Sequence, residues 1–383
     1  MLSLCFLDLI DWDYNVDAPT HRPFGGSQSA LCYLAVELAK LGHNVTLLSN
    51  TSKPGVVSGV TCLNLKLARR HFFTQSKFDA VIVLNGPAEF SSVRWHLPSS
   101  TKLLMWTQHG VDQPAMRGLS SRNKAKKWDH IVCVSDWHRQ TVIKTFGIDA
   151  ERVSVLRNAI APAFESLFPS RDSLIATKAD GLRLAYTSTP FRGLDVLLEI
   201  FPGVQPRRSK ATLDVYSSMA VYQQDASSDR YRPLYDASKA IPGVKYVGSL
   251  PQPALATALS KAHVLSYPNT FAETSCISVM EALGAGLAIV TSEFGALPET
   301  AQGFARLVPY GVGDRTAYTA TYRDALAQTL EAYSLADWAD RLYHQVTTIN
   351  RTCTWRLRAL EWTRFLSQLL SARHDARANG ANR

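Results

Sequence analysis

Two carboxylates, Glu273 and Glu281, frame the stretch NTFAETSCISVMEALGAGLAIVTSEFGALPET at residues 269–300. The run before it, HVLSYP, reads as a strand, and ISVMEALGAG reads as a helix that begins near Thr274 to Ile277. The first amides of a helix lack intrahelical partners and carry the positive end of its dipole, so they favour an anion, most often a phosphate. Glu281 then lies roughly 12 Å further along the axis. Carboxylates accept hydrogen bonds from hydroxyls while amides donate to phosphates. A ligand with polyol hydroxyls at both ends and phosphates between them, a nucleotide-diphosphate sugar, fits this order of groups. On spacing alone, a capping acid at Glu273 and a surface salt bridge at Glu281 fit equally well. Thr274, Ser275 and Cys276 fill the space between the acids; their amides suit phosphate or sugar hydroxyls, and Cys276 reads as a packed or amide-donating position rather than a nucleophile.

Other chemistry-bearing residues are spread along the chain. Gly25 and Gly26 precede a helix, with Ser27 placed to cap it, and the backbone there can approach a ligand closely. FRGLD supplies Arg192 and Gly193, a cation that would stabilise a diphosphate leaving group. His109, in LLMWTQHGVD, ends a strand and can hydrogen-bond a sugar hydroxyl. His43 in LGHNV reads as structural, while His138 and Arg139 read as a helix start near the cleft or its rim. Asp11 and Asp13 (DWD) read as loop or acceptor-side acids, and no acid pair stands at a strand end to hold a metal on a diphosphate.

The elements that must position these residues alternate. Compact apolar runs (LSLCFLDLI, HNVTLLS, FDAVIVLNG, KLLMWTQHG, HIVCVSDW and RVSVLRNAI) are separated by helical patterns such as SQSALCYLAVELAKLG. A second alternating series starts at LRLAYTSTP and runs through LAIVTSE. Strands alternating with helices imply parallel sheets whose ligands gather at the carboxyl ends of the strands. The mixed, Pro-containing stretch at 160–182 reads as a linker, and the last helix ends in a tail, ARANGANR, read as disordered. The expected organisation is an α/β chain of two Rossmann-like domains, 1–165 on the acceptor side and 166–350 on the donor side. A C-terminal helix, 351–383, packs back toward the first. Two such domains facing each other form a cleft suited to a two-ended ligand.

Several of these motifs, in order, resemble the retaining GT-B glycosyltransferases of family 4 (glycosyl transferases group 1). They are HVLSYPNTFAE with E-x7-E and GALPE, PFGGSQSALCYLAVELAKLGHNVTLL, HIVCVSDWHRQTVIKTFGIDAERVSVLRNAI and STPFRGLDVLLEIF. The resemblance implies a GT-B fold and transfer with retention from a nucleotide-sugar, assisted by the leaving phosphate. It also implies no metal or other cofactor. It places Glu281 at the ribose, and the amides of Thr274 to Ile277 with Arg192 and Gly193 at the diphosphate. Glu273 and His109 fall at the donor sugar, and Gly25, Gly26 and Ser27 close the site. Where the family often has a second basic residue, this chain has the uncharged Thr187 and Ser188. UDP is the first expectation for the nucleotide and GDP the second. The alternatives are a nucleotide-sugar epimerase or hydrolase of the same fold, or a non-catalytic nucleotide-sugar binder.

Composition bounds the rest. The net charge of +9 divides as 18 Lys/Arg against 13 Asp/Glu in 1–165, 16 against 17 in 166–350, and 7 against 2 in 351–383. Basic, aromatic stretches (LARRHFF, RNKAKKW) read either as ordinary solvated helix faces or, with the basic C-terminal helix, as a surface for a membrane-bound acceptor, and not as a nucleic-acid site; the acceptor itself, small molecule, glycan or lipid-linked, is left open. No apolar run approaches the roughly 20 residues of a membrane span. The N-terminus lacks a basic region and reads as a strand, and the six Cys show no metal-ligand spacing. A cytoplasmic enzyme, peripheral at the inner membrane surface, is the expectation.

Overall fold

The computed structural model describes residues 1–383 apart from 68, 87–92, 179–180, 205–209, 226, 312 and 381–383, with the backbone alone over 372–380. The chain divides into two units. The first comprises Met1–Ala18, Ser27–Asn158 and Trp355–Arg383, and the second Pro19–Gly26 and Ala159–Thr354.

The first unit is built on β1 (Ser3–Asp8), β2 (Asn44–Ser49), β3 (Gly55–Val57), β4 (Val60–Asn64), β5 (Ala80–Leu84), β6 (Lys102–Trp106), β7 (His130–Cys133) and β8 (Val153–Val155). Their order is β3-β4-β2-β1-β5-β6-β7-β8, parallel except for the β3–β4 hairpin. β5 and the inner positions of β1 and β6 are buried and read as unbroken apolar runs, as central parallel strands do. One face of the sheet packs Phe73, Val93, Met116, Leu119, Trp128 and Val142. Elsewhere in the unit, Trp362 of the helix Trp355–Gly380 lies edge-on to Phe6 and to Trp106, with ring centroids 6.5 and 5.2 Å away.

The second unit holds β9 (Leu182–Thr187), β10 (Ala211–Tyr216), β11 (Val244–Tyr246), β12 (Val264–Tyr267), β13 (Ala288–Glu293) and β14 (Ala305–Pro309). They form one parallel sheet in the order β11-β10-β9-β12-β13-β14. The strand order reverses between β9 and β12, which makes their carboxyl ends the topological switch point where ligands of such sheets bind.

Three sequence expectations are corrected. The stretch at 160–182 is no linker: it contains the helix Arg171–Thr177, and Phe168 and Leu174 pack against Leu342 and Val346. A seven-residue helix has too few apolar positions to show its period, and its packing partners lie far along the chain. Ser27 does not cap the helix after the Gly pair, because that helix already begins at Gly26 and runs to Lys40. The C-terminal tail is helical as far as Gly380, and its last three residues lie outside the described ones.

Candidate active site

The switch point of the second unit gathers most of the residues singled out by the sequence. β12 ends on Tyr267, and Pro268 follows it. The Asn269 carboxamide oxygen then accepts from the Phe271 N–H at 3.0 Å, a side-chain turn that aims the chain back toward the sheet. This brings Glu273 into a buried position, 3% exposed. Its Oε1 accepts from the Tyr267 hydroxyl at 2.6 Å and from the Arg192 guanidinium. Arg192 comes from the turn after β9, and its charge lies 4.6 Å from the centre of the Phe271 ring and 5.5 Å from that of Phe191. Burial disfavours the Arg192 charge, but Glu273 and the neighbouring tyrosines more than offset this and hold the group firmly protonated. Its Nε is buried and without a partner, a donor left for a ligand.

Two glycines make this meeting geometrically feasible. Gly193 has φ +95°, and a Cβ there would stand 1.9 Å from the Pro268 carbonyl oxygen. The turns after β9 and β12 therefore touch through bare backbone. Gly295, with φ +62°, packs against Glu273 less tightly but still too closely for a side chain: a Cβ would meet the Glu273 O and N at 2.6 and 2.7 Å. The next residue, Ala296, donates its N–H to the Glu273 carbonyl at 2.7 Å. The GALPE turn thus clamps the backbone of the acid.

The helix after Glu273 spans Ile277–Gly284, and no side chain caps its N-terminus at Cys276. Thr274 and Cys276 are buried, while Ser275 and Ile277 are partly exposed. Burial raises the Cys276 thiol well above its usual range, which keeps it protonated and unreactive. Ile277 also faces Gly26: a Cβ on that glycine would be 3.5 Å from the Ile277 Cδ1. Gly25 and Gly26 belong to the second unit, Ser27 to the first.

Glu281 lies deeper on the same helix, 3% exposed, so it is no surface salt bridge. Burial pushes its carboxyl up to about 8, countered in part by hydrogen bonds from the Ala161 N–H and the Gln252 side chain. Its Oε1 is buried without a partner.

His109 belongs to the first unit, on the loop after β6. Burial lowers its pKa, so it is the neutral imidazole that stands there, and its Nδ1 is buried without a partner. Around it, the Asn85 side chain accepts from the Gln108 N–H at 2.7 Å, and Asn158 donates to the Gln108 side chain at 3.1 Å. His138 lies in the first turn of the helix Asp136–Phe146, fully buried rather than at a rim. Burial takes its pKa down to about 4, against an opposing hydrogen bond with the His109 main chain.

Sequence reading missed Tyr267, which looked like one more apolar strand residue. It also missed Asp8 at the end of β1, where the buried carboxylate accepts from the Tyr14 hydroxyl at 2.6 Å and from Gln28 at 3.2 Å. An acid closing an apolar strand was the available signal. Asp11 and Asp13 do not share a site: they receive Asn50 and Ser52, respectively, and so tie the loops after β1 and β2. His43 is structural, accepting from the Leu2 N–H at 3.1 Å. All six cysteines are buried and none is in a disulfide. Among the described residues no three His, Cys, Asp or Glu side chains group as metal ligands, and no helix is long and apolar enough to cross a membrane.

Comparison with known proteins gives this geometry its family. Residues 24–164 match the model of Glycosyltransferase Family 4, and residues 183–329 match that of Glycosyl transferases group 1. The chain is 24% identical over 309 residues to a phosphatidylinositol N-acetylglucosaminyltransferase subunit of Arabidopsis thaliana, over 72% of this chain and 66% of that one, a little under two thirds of the relative's length. Among solved structures, sucrose-phosphate synthase from Thermosynechococcus elongatus superposes with a TM-score of 0.72 at 14% identity, covering 97% of this chain and 100% of the other. Anabaena Alr3699/HepE in complex with UDP and glucose gives 0.68 at 13% identity, covering 96% and 100%. The two family models, the two parallel sheets and the GT-B neighbours agree: this chain is an enzyme of the transferase class and belongs to the family 4 glycosyltransferases of GT-B fold.

Proposed function

We propose that this glycosyltransferase takes its sugar from a UDP-sugar, N-acetylglucosamine first among the candidates, and transfers it with retention to a hydroxyl of a lipid-linked acceptor. The observation that carries the donor half is the meeting of Arg192, Glu273 and an uncapped helix N-terminus at the switch point of the second sheet. The helix amides and the free Arg192 Nε are the donors for the diphosphate. Glu273 orients the sugar, and the unpartnered Glu281 Oε1 receives the ribose. As negative charge develops on the leaving phosphate, fixed donors in a site of low dielectric stabilise it without reorganising. Gly25 and Gly26 complete the phosphate side, and His109, neutral, serves the sugar or the acceptor. The choice of sugar and acceptor leans on the name of the Arabidopsis relative, and that of UDP on the bound ligand of the Anabaena neighbour. That relative is named as one component of a transferase, which supports a protein partner for this chain too.

A thermal-shift panel of UDP-N-acetylglucosamine, UDP-glucose and GDP-mannose reads the donor directly, since a ligand that binds the native state raises its melting temperature. UDP-N-acetylglucosamine should give the largest shift, and Arg192→Ala should abolish it. A larger shift with GDP-mannose would overturn the nucleotide assignment. Steady turnover of the donor with no acceptor present would replace transfer by hydrolysis or epimerisation.

A further inference from the structure

The first unit carries a surface that the donor site does not use. From Pro114 to Trp128 the chain has five basic residues, Arg117, Arg122, Lys124, Lys126 and Lys127, and no acid. Among the described residues none of the five is ion-paired. The base of the segment is fixed. Met116, Leu119, Ala125 and Trp128 are buried in the core of that sheet face, and Arg152 donates to the Ala125 and Trp128 carbonyls at 2.9 and 2.6 Å. Beside the segment stands Trp95, 72% exposed, with the Lys127 ammonium 5.5 Å from its ring centre. Its neighbours Val93 and Leu97 root it in the same core.

We infer that this turn and Trp95 form a docking surface for an anionic lipid bilayer. An indole left in water on a well-packed support is costly unless something covers it, and the membrane interface is where amphipathic rings settle. The surrounding cations supply the attraction to anionic headgroups. Single-stranded nucleic acid would need a free aromatic face for stacking, and here an ammonium already occupies one face of the ring. The charges are presented from a rigid base, so little ordering entropy is lost on docking. The inference does not rest on the identity of the donor or acceptor.

The test is co-sedimentation of the full chain with phosphatidylcholine vesicles, with and without phosphatidylserine, at low and at physiological salt. Wild type should partition onto the phosphatidylserine vesicles only, and less so as salt rises. Each cation near an anionic surface is worth about five-fold in partitioning, so the four-site variant Arg122→Gln, Lys124→Gln, Lys126→Gln, Lys127→Gln should lose at least about a hundred-fold. Arg122 and Lys126 are exposed and Lys124 and Lys127 half-buried, and an unchanged near-ultraviolet circular dichroism spectrum confirms that the variant is folded. Tryptophan quenching by brominated lipid should be present in wild type and largely lost in Trp95→Ala. Wild type left in the supernatant, a four-site variant that sediments like wild type, or single-stranded RNA that strips the protein from vesicles at equal charge would each overturn the inference.

Discussion

At the scale of single residues, Tyr267 and Glu281 make the sharpest claims. The Tyr267 hydroxyl donates to a buried carboxylate at 2.6 Å, a bond to a charged group worth about 1.5–3 kcal/mol. Tyr267→Phe keeps the ring and removes only that donor. It should lower the stability of the second unit by about that amount and weaken donor binding, both readable by denaturant titration with and without UDP. Glu281 makes a pH prediction. Its folded carboxyl is raised by burial from 4.5 to about 8, so the folded state keeps a proton that the unfolded chain has lost. Stability therefore falls as pH climbs from 4.5 to about 8, and levels off above that once both states are ionised. Glu281→Gln removes this dependence. The variant should gain on wild type steadily between pH 5 and pH 8, and parallel curves for the two proteins would refute the assignment. Both acids were visible in the sequence, because their spacing around a helix start carries chemical meaning. Tyr267 was not, since a tyrosine closing VLSY looks like any other core residue until the turn after it brings Glu273 back.

At the scale of elements, the site depends on two turns that meet through backbone. Gly193→Ala adds a methyl 1.9 Å from the Pro268 carbonyl at φ +95°. Strain and clash together should cost about 3 kcal/mol or more. Gly303, with φ +80° and nothing within 4 Å, is the control: Gly303→Ala pays for the backbone conformation alone, about 1 kcal/mol. Equal denaturation midpoints for the two variants would mean that the turns after β9 and β12 are not held as described. The strands themselves were legible, since parallel strands buried on both faces leave unbroken runs such as AVIVL and KLLMW. The helix Arg171–Thr177 was hidden in an apparent linker, because what makes it stable is Leu342 and Val346, which no local pattern announces. The conformation of Gly193 was equally hidden: FRG reads as a phosphate motif, and its glycine proves to be demanded by the neighbouring turn.

At the scale of the whole molecule, the chain is interleaved. The first unit contains both the N-terminal strands and the last helix, while Pro19–Gly26 is counted with the second unit. Trp362, fully buried against Phe6 and Trp106, ties that helix to β1 and β6. Trp362→Ala should cost about 3–5 kcal/mol. The loss should fall on the first unit, so calorimetry in the presence of UDP, which the second unit is proposed to bind, should show one transition moving down and one staying. A single transition shifted as a whole would show that the units unfold together. The alternation of strands and helices announced two sheets. It could not announce which segments complete which, because that is decided by aromatic contacts hundreds of residues apart. The same interleaving sets an order of events on the ribosome. Proteins emerge from the N-terminus, and domains ordinarily fold as they appear. Here the first unit cannot be finished before the second has emerged: Phe6 and Trp106 wait for Trp362, which is made only after Ala159–Thr354. The aromatic faces of β1 and β6 are the surfaces a nascent chain of this protein must keep from other partners longest.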